Sequence, residues 1–398
     1  MSRIRALCLS RNYPNDEIPR LGIWVERLAL ACSSWCETKV IAPVPWFPAL
    51  PGLASYSRYS KIPRIDQRSG LAVLHPRFIL PPGMLLHRWE AAGYYTGVKR
   101  HVSQLRKEFP FDLIHAHFIY PDGAAATRLG NEIGVPVVIT EHASWSPWLN
   151  DHANVRKAAL NAASKADTMI AVSTSLGRSM ESFGVPREKI AVIPNVVDET
   201  IFTTDGRPAD GPLRRLLFVG IMRKVKGLDI LFRALRILID QGVDAELAIV
   251  GESFYPSYAR DLRELRELAE TLRLGSKVTF LGGRQAGEVA AEMRQSSVVV
   301  LPSRRETFGV VLAESLACGT PVVATRCGGP EDIVGPEDGV LVEPENPSAL
   351  AAGIAKVLAE RQSYEPRALR ARCVERFGTA AVSDQVRHVY ETAMAGFQ

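Results

Sequence analysis

Two doubly wound α/β domains are the fold this sequence predicts, and three observations carry the reading. Short apolar, β-branched runs recur at 4–10, 38–44, 71–76, 113–118, 136–141, 168–173 and 190–194, with helical-period stretches at 22–34, 86–108, 123–133 and 174–183 between them. Near-continuous apolar strands alternating with helices mean a parallel sheet covered on both faces. The segment 199–214 then breaks the pattern with Gly, Pro and Asp, as a linker does. The alternation restarts at 215–220 and continues through strands at 246–251, 277–282, 298–303, 321–325 and 339–343, with helices expected at 227–241, 257–273, 286–295, 308–318 and 348–361. The expected domains are 1–200 and 201–378, joined near 205, with a final segment 379–398. Ligands of such sheets bind outside the carboxyl ends of the strands, so the residues just after strands matter most, and a cleft between the domains is the expected site.

Composition limits the class. The chain has 398 residues, 46% hydrophobic and 23% charged, which excludes disorder, collagen and coiled coil. A net charge of +5 is too mild to argue for nucleic acid. No apolar run reaches the roughly 18 residues of a membrane span, and the N-terminus lacks the apolar stretch of a signal peptide. The six cysteines are scattered without zinc-site spacing, so reduced thiols in a cytoplasmic protein are expected.

The most informative stretch is Glu306-Thr-Phe-Gly-Val-Val-Leu-Ala-Glu314, running on through GTPVVAT to Gly328-Gly329-Pro330-Glu331. A strand leads through a loop to Glu306, and Phe308-Gly309 open a helix. A helix start exposes unpaired N–H groups and partial positive charge, and a Gly there admits a phosphate close to the backbone. Eight residues of helix rise about 12 Å. Glycosidase acid pairs sit about 5–9.5 Å apart, so the two carboxylates suit separate parts of one long ligand better than a hydrolase pair. A second basic cluster follows the strand ending at Gly220: Arg223, Lys224 and Lys226-Gly227. In the first half, His115 and His117 end one strand, where alternation puts them on the same side. Glu141 and His142 end the next.

Glu306, Phe308, Gly309, Glu314, Gly319, Pro321 and Val322 match the E-x7-E signature, so the chain resembles the retaining GT-B glycosyltransferases of glycosyltransferase group 1. Ser315 stands where Ala is usual. The resemblance implies two Rossmann-like domains, the first on the acceptor side and the second holding the nucleotide sugar, with the helix at 379–398 crossing back to the first. It implies that Glu314 binds the ribose hydroxyls, that Glu306 contacts the donor sugar, and that Phe308, Gly309 and Val310 cradle the diphosphate. The family usually has G-R-x-x-x-x-K-G where this chain has Gly220-Ile221 and Lys226-Gly227; Lys226 matches, Ile221 takes the place of Arg, and Arg223 is the candidate substitute. Arg284 is expected near the nucleobase. His117, with His142 second, is expected at the donor sugar or leaving group, with Glu141 orienting an imidazole. Gly22 is what remains of a Gly-rich loop after the first strand, and its backbone is expected to approach the diphosphate.

The resemblance implies a hexosyl transfer with retention, from a nucleotide-diphosphate sugar to a hydroxyl, with no metal and no other cofactor. The form of the first domain is similar to enzymes of exopolysaccharide and teichuronic acid assembly, which implies a lipid-linked or glycan acceptor. A nucleotide-sugar epimerase of similar fold and a non-catalytic binding relative are the alternatives. A nicotinamide dehydrogenase is set aside, since no G-x-G-x-x-G follows either first strand. The segment 58–107 holds ten Lys or Arg against Asp66 and Glu90. Its Leu85, Leu86 and Trp89, with Tyr94 and Tyr95 read as exposed, make an anionic membrane surface on the cytoplasmic side an expected partner.

Overall fold

The computed structural model describes residues 3–46, 57–80, 89–145, 152–206, 214–251 and 259–397. The chain forms two compact units, residues 1–196 with 382–398, and residues 197–381. Leu85, Leu86, Arg88, Glu252 and residues 207–213 of the linker lie outside the described residues.

In the first unit the strands are β1 (Ile4–Leu9), β2 (Cys36–Ile41), β3 (Val44–Trp46), β4 (Ile65–Arg68), β5 (Leu71–Leu74), β6 (Arg77–Ile79), β7 (Leu113–His117), β8 (Val137–Glu141), β9 (Thr168–Ala171) and β10 (Ile190–Val192). Eight of them form one sheet in the order β10-β9-β8-β7-β1-β2-β5-β4, and β3 pairs with β6 apart from it. The strand order reverses at β1 and β7, so the carboxyl ends of these strands flank the topological switch point. One edge departs from the all-parallel expectation: β4 and β5 are antiparallel. Ser69 and Gly70, at φ 49° and 82°, form the tight turn between them, the left-handed pair that suits the twist of a hairpin.

The helix Thr379–Gly396 belongs to this unit from Val382 onward. Its Val382, Val386, Val389, Tyr390 and Ala393 recur at helical spacing and share one core with Ala6, Leu28, Leu113, Val138 and Ile170. The expected helix at 86–108 is described over Glu90–Glu108. Tyr94 and Tyr95 on it are buried, not exposed. Tyr94 donates to Asp122 at 2.7 Å and Tyr95 to Glu132 at 2.6 Å. Lys99 pairs with Glu132 at 2.9 Å, so part of the basic excess is already matched. The Ala-rich helix Ala153–Lys165 has no counterpart in the expected elements.

The second unit has β11 (Arg215–Val219), β12 (Glu246–Val250), β13 (Val278–Gly282), β14 (Val298–Leu301), β15 (Val322–Thr325) and β16 (Gly339–Val342), all parallel, in the order β13-β12-β11-β14-β15-β16. Its switch point lies between β11 and β14. The helix after β11, Leu228–Asp240, buries Leu228, Leu231, Leu235 and Leu238 at helical spacing. Ser315 has a structural role: its buried hydroxyl donates to the Thr320 carbonyl at 2.8 Å, tying the end of the helix Val310–Ala317 to the turn before β15.

Candidate active site

At the switch point of the second unit, two loops leave adjacent strands. The loop after β11 turns through Lys224–Lys226. Gly227 then starts the next helix at φ 70°, and a Cβ there would lie 1.9 Å from the Pro302 carbonyl oxygen. Only glycine fits, because the loop after β14 fills that space. Lys226 Nζ consequently reaches Glu306 Oε2 at 2.5 Å, and Ser303 Oγ lies 3.4 Å from the same oxygen. Both ionic side chains are largely buried, 20% and 12% exposed. Two candidates 80 residues apart in sequence thus form one ion pair where the sheet topology opens.

Glu306 is not on a helix. Its backbone bridges Gly328, with its N–H donating to Cys327 at 3.3 Å and its carbonyl accepting from Gly329 at 2.8 Å. The helix begins only at Val310, with Gly309 at φ 93° before it. The 12 Å helical rise expected between the two carboxylates therefore does not apply: the chain bends at Gly309, and only Glu314 rides the helix. Glu314 is 8% exposed at the start of the second turn. Phe308 is buried against Phe377, ring centroids 5.8 Å apart, so its side chain is an anchor and its backbone is the part directed to the helix start. The first N–H groups of Val310–Ala317 have no acceptor within the helix.

The remaining second-unit candidates are Arg223 and Arg284. Arg223 is exposed at the head of the Lys224–Lys226 turn, where its N–H donates to Ile221 and its carbonyl accepts from Lys226. Arg284 follows the edge strand β13 and pairs with Glu288 at 3.4 Å.

In the first unit, β7 and β8 deliver a ladder of imidazoles. His115 and His117 stack with centroids 4.4 Å apart, and His117 and His142 with centroids 5.3 Å apart. His115 is held at both nitrogens, by Tyr390 Oη and Thr140 Oγ1, each at 2.7 Å. It is therefore a structural member. His117 Nδ1 lies 3.1 Å from His142 Nε2. Glu141 does not orient an imidazole, contrary to expectation. Its buried carboxylate accepts from the backbone N–H groups of Ile119, His142 and Ala143 and from the Trp145 indole, at 2.8–3.0 Å. It knits together the loops that carry the histidines. Tyr390 was not legible as a partner, being 275 residues from His115 with no motif around it. Gly22 sits at φ 67°, and a Cβ on it would lie 1.9 Å from the Asn12 carbonyl oxygen; the space freed by the missing side chain is taken by this chain's own backbone.

Burial holds all three imidazoles neutral. It pushes His115 and His142 down to about 3 and His117 well below the ordinary value of 6.5, with the neighbouring imidazoles adding to the last. An unfolded chain takes up these protons below about pH 6.5 and the folded chain refuses them, so stability falls as pH drops from 6.5 toward 3. Asp122 works in the opposite sense, since burial, against the opposing charge of Arg11, raises it to about 6. Three histidines outweigh it, and the melting temperature is expected to fall between pH 7 and pH 5. A melting temperature that stays level or rises over that range would refute the neutral ladder. Among the described residues no group of three His, Cys, Asp or Glu could hold a metal ion.

Two family models match the chain: Glycosyl transferases group 1 over residues 205–376 and Glycosyltransferase Family 4 over residues 57–200. An uncharacterized glycosyltransferase of Methanocaldococcus jannaschii is 30% identical over 248 residues, 62% of this chain and 65% of that protein, so the match spans slightly under two thirds of that relative. D-inositol 3-phosphate glycosyltransferase 1 of Catenulispora acidiphila is 30% identical over 319 residues, 73% of this chain and 75% of that protein. Among solved structures, Anabaena HepE in complex with UDP and glucose superposes with a TM-score of 0.73 at 19% identity, covering 98% of this chain and 99% of that one. With its two doubly wound sheets and its Lys226–Glu306 pair at a switch point, the chain belongs to the glycosyltransferase group 1 family and has the GT-B fold.

Proposed function

We propose that the protein is a retaining glycosyltransferase that moves a hexosyl group from a nucleotide-diphosphate sugar to a hydroxyl acceptor in cell-surface polysaccharide or glycolipid assembly. The observation that carries the reading is the Lys226–Glu306 pair beside the start of the helix that bears Glu314. In this reading Glu314 accepts from the ribose hydroxyls, since an ionised carboxylate takes two such donors. Backbone N–H groups at Gly309 and Val310 and the ammonium of Lys226 meet the diphosphate and stabilise it as it leaves. Glu306 holds the donor sugar. His117, neutral, is suited to hydrogen bonding with a sugar hydroxyl rather than to carrying charge. No enzyme carboxylate is assigned as nucleophile; the departing diphosphate serves as base for the acceptor attacking the same face.

The test is a panel of nucleotide sugars incubated with polyol, phosphopolyol and glycan acceptors, with product anomers read by NMR. The complex named for the Anabaena protein puts UDP-glucose first among donors, and the relative named for D-inositol 3-phosphate puts a phosphorylated polyol among the acceptors. Release of the nucleoside diphosphate with retained configuration supports the proposal. Inversion, an epimerised donor or no turnover across the panel would each refute it. Glu314→Ala is expected to raise the donor KM by at least tenfold with a smaller effect on kcat; an unchanged KM would remove Glu314 from the donor site.

The proposal includes a lipid-linked acceptor reached at an anionic membrane surface. Trp89, Ile79 and Trp46 are exposed at 59%, 63% and 44% in the first unit, and Arg100 is exposed on the helix Glu90–Glu108. No helix among the described residues is long and apolar enough to cross a membrane. Co-sedimentation with vesicles of graded anionic lipid content tests this part, and binding that ignores lipid charge would refute it.

A further inference from the structure

We infer that Arg304 is a positioning residue that locks the Lys226-bearing turn to the Glu306-bearing loop and so sets the geometry of the donor site. The inference rests on the donor-site reading of Lys226 and Glu306. Arg304 lies two residues before Glu306, and its guanidinium is directed back to the other loop. Nη1 donates to the Lys224 carbonyl at 2.5 Å, Nη1 and Nη2 clasp the two carboxylate oxygens of Asp229 at 2.8 and 2.7 Å, and Nε donates to Glu345 at 2.7 Å. Its backbone N–H adds a bond to the Val225 carbonyl at 2.8 Å.

These contacts bracket Lys226 in sequence. Lys224 and Val225 precede it and Asp229 follows it, on the first turn of the helix that Gly227 starts. With Gly227 seated against the Pro302 carbonyl, the turn is fixed to the other loop on both sides of Lys226. Glu345 takes a left-handed backbone, φ 56°, while its carboxylate meets Arg304. A non-glycine residue holds such a conformation only where its surroundings impose it. A planar guanidinium with its donors in a fixed fork suits this task, and the rotating ammonium of lysine does not reproduce it.

Arg304 carries none of the expected family roles. The distances instead connect it to the reaction through Lys226. A shift of about 1 Å in a catalytic group costs up to about 100-fold in rate, so Arg304→Ala is expected to lower kcat by roughly 10- to 100-fold with the donor KM changed less than threefold.

The experiment is a double-mutant cycle on the full chain, measured on whichever nucleotide sugar the wild type turns over. It uses Arg304→Ala, Lys226→Ala and the double variant, with Arg304→Lys and Asp229→Asn alongside. If Arg304 acts through Lys226, its removal adds little once Lys226 is gone, Arg304→Lys does not restore kcat, and Asp229→Asn reproduces part of the loss. A melting temperature near wild type for Arg304→Ala excludes a folding defect, and Asp229→Asn, which loosens the same clasp from the other loop, carries the test if Arg304→Ala does not fold. An equal fold-loss from Arg304→Ala in both backgrounds, or full activity in Arg304→Ala or Arg304→Lys, would overturn the inference while leaving the donor-site reading intact. Wild-type turnover in Lys226→Ala alone would instead overturn that reading and the inference with it.

Discussion

Lys226→Ala is expected to lower kcat/KM by about 10²- to 10³-fold, or about 3–4 kcal/mol of transition-state stabilisation, the usual cost of removing one preorganised charge stabiliser. Two effects combine. On the proposed reading, the leaving diphosphate loses a cation held four-fifths out of solvent, where charge is screened far less than in water. Glu306 also loses the ammonium 2.5 Å from its carboxylate and is left with a negative charge that is 12% exposed, so the proposed sugar contact is perturbed together with the proposed phosphate contact. Glu306→Gln separates the two: it leaves Lys226 in place and is expected to lower kcat with less effect on donor binding. Steady-state kinetics on the first productive donor, with the melting temperature as a control for folding, provide the measurement. Lys226→Ala with wild-type kcat/KM would remove the ion pair from the mechanism.

Glu141→Ala is expected to cost about 4 kcal/mol of folding stability. The carboxylate is 1% exposed and accepts four hydrogen bonds, three from backbone N–H groups and one from the Trp145 indole. Removing it orphans buried donors, at about 1–3 kcal/mol for each that finds no water. The carboxyl is raised from its ordinary value chiefly by burial, with the four donors opposing the rise. Glu141→Gln keeps a carbonyl oxygen for part of the set and should lose less than half as much. Urea denaturation gives both values. A loss below about 1 kcal/mol for Glu141→Ala would mean that the loops carrying His117 and His142 are held by something else.

The two sheets were legible because strands buried on both faces leave apolar runs that stand out against helical periodicity. Val298–Leu301 and Val322–Thr325 are examples, each fully buried. The antiparallel edge of the first unit was not legible. β4 reads Ile-Asp-Gln-Arg with its residues half-exposed or exposed, so no apolar run marks it. The helix Ala153–Lys165 buries mainly alanines, which carry little hydrophobic contrast. Glu306, Phe308, Gly309 and Glu314 could be picked out as candidates because a local motif holds them. Their partners were not: Arg304 meets Lys224 and Asp229 across 80 and 75 residues, and Tyr390 meets His115 across 275. Spacing along the chain carries no trace of such pairings. The role expected for Glu141 failed for a related reason. A carboxylate beside a histidine in sequence looks like its orienting partner, while here the nearby backbone donors claim its oxygens.

The first unit is discontinuous, and this sets an order of events during synthesis. Val382, Val386, Val389, Tyr390 and Ala393 complete the core that contains Ala6, Leu28 and Leu113, so the earliest residues to leave the ribosome wait for some of the latest. Residues 197–381 form the other unit without them. Domains made from one stretch of chain fold from the N-terminus onward as they emerge; here the second-encoded unit has all its parts first. Until the last helix arrives, the apolar face formed by Leu113, Val138 and Ile170 lacks its cover, and a nascent chain stalled before Val382 exposes that face to chaperones and proteases.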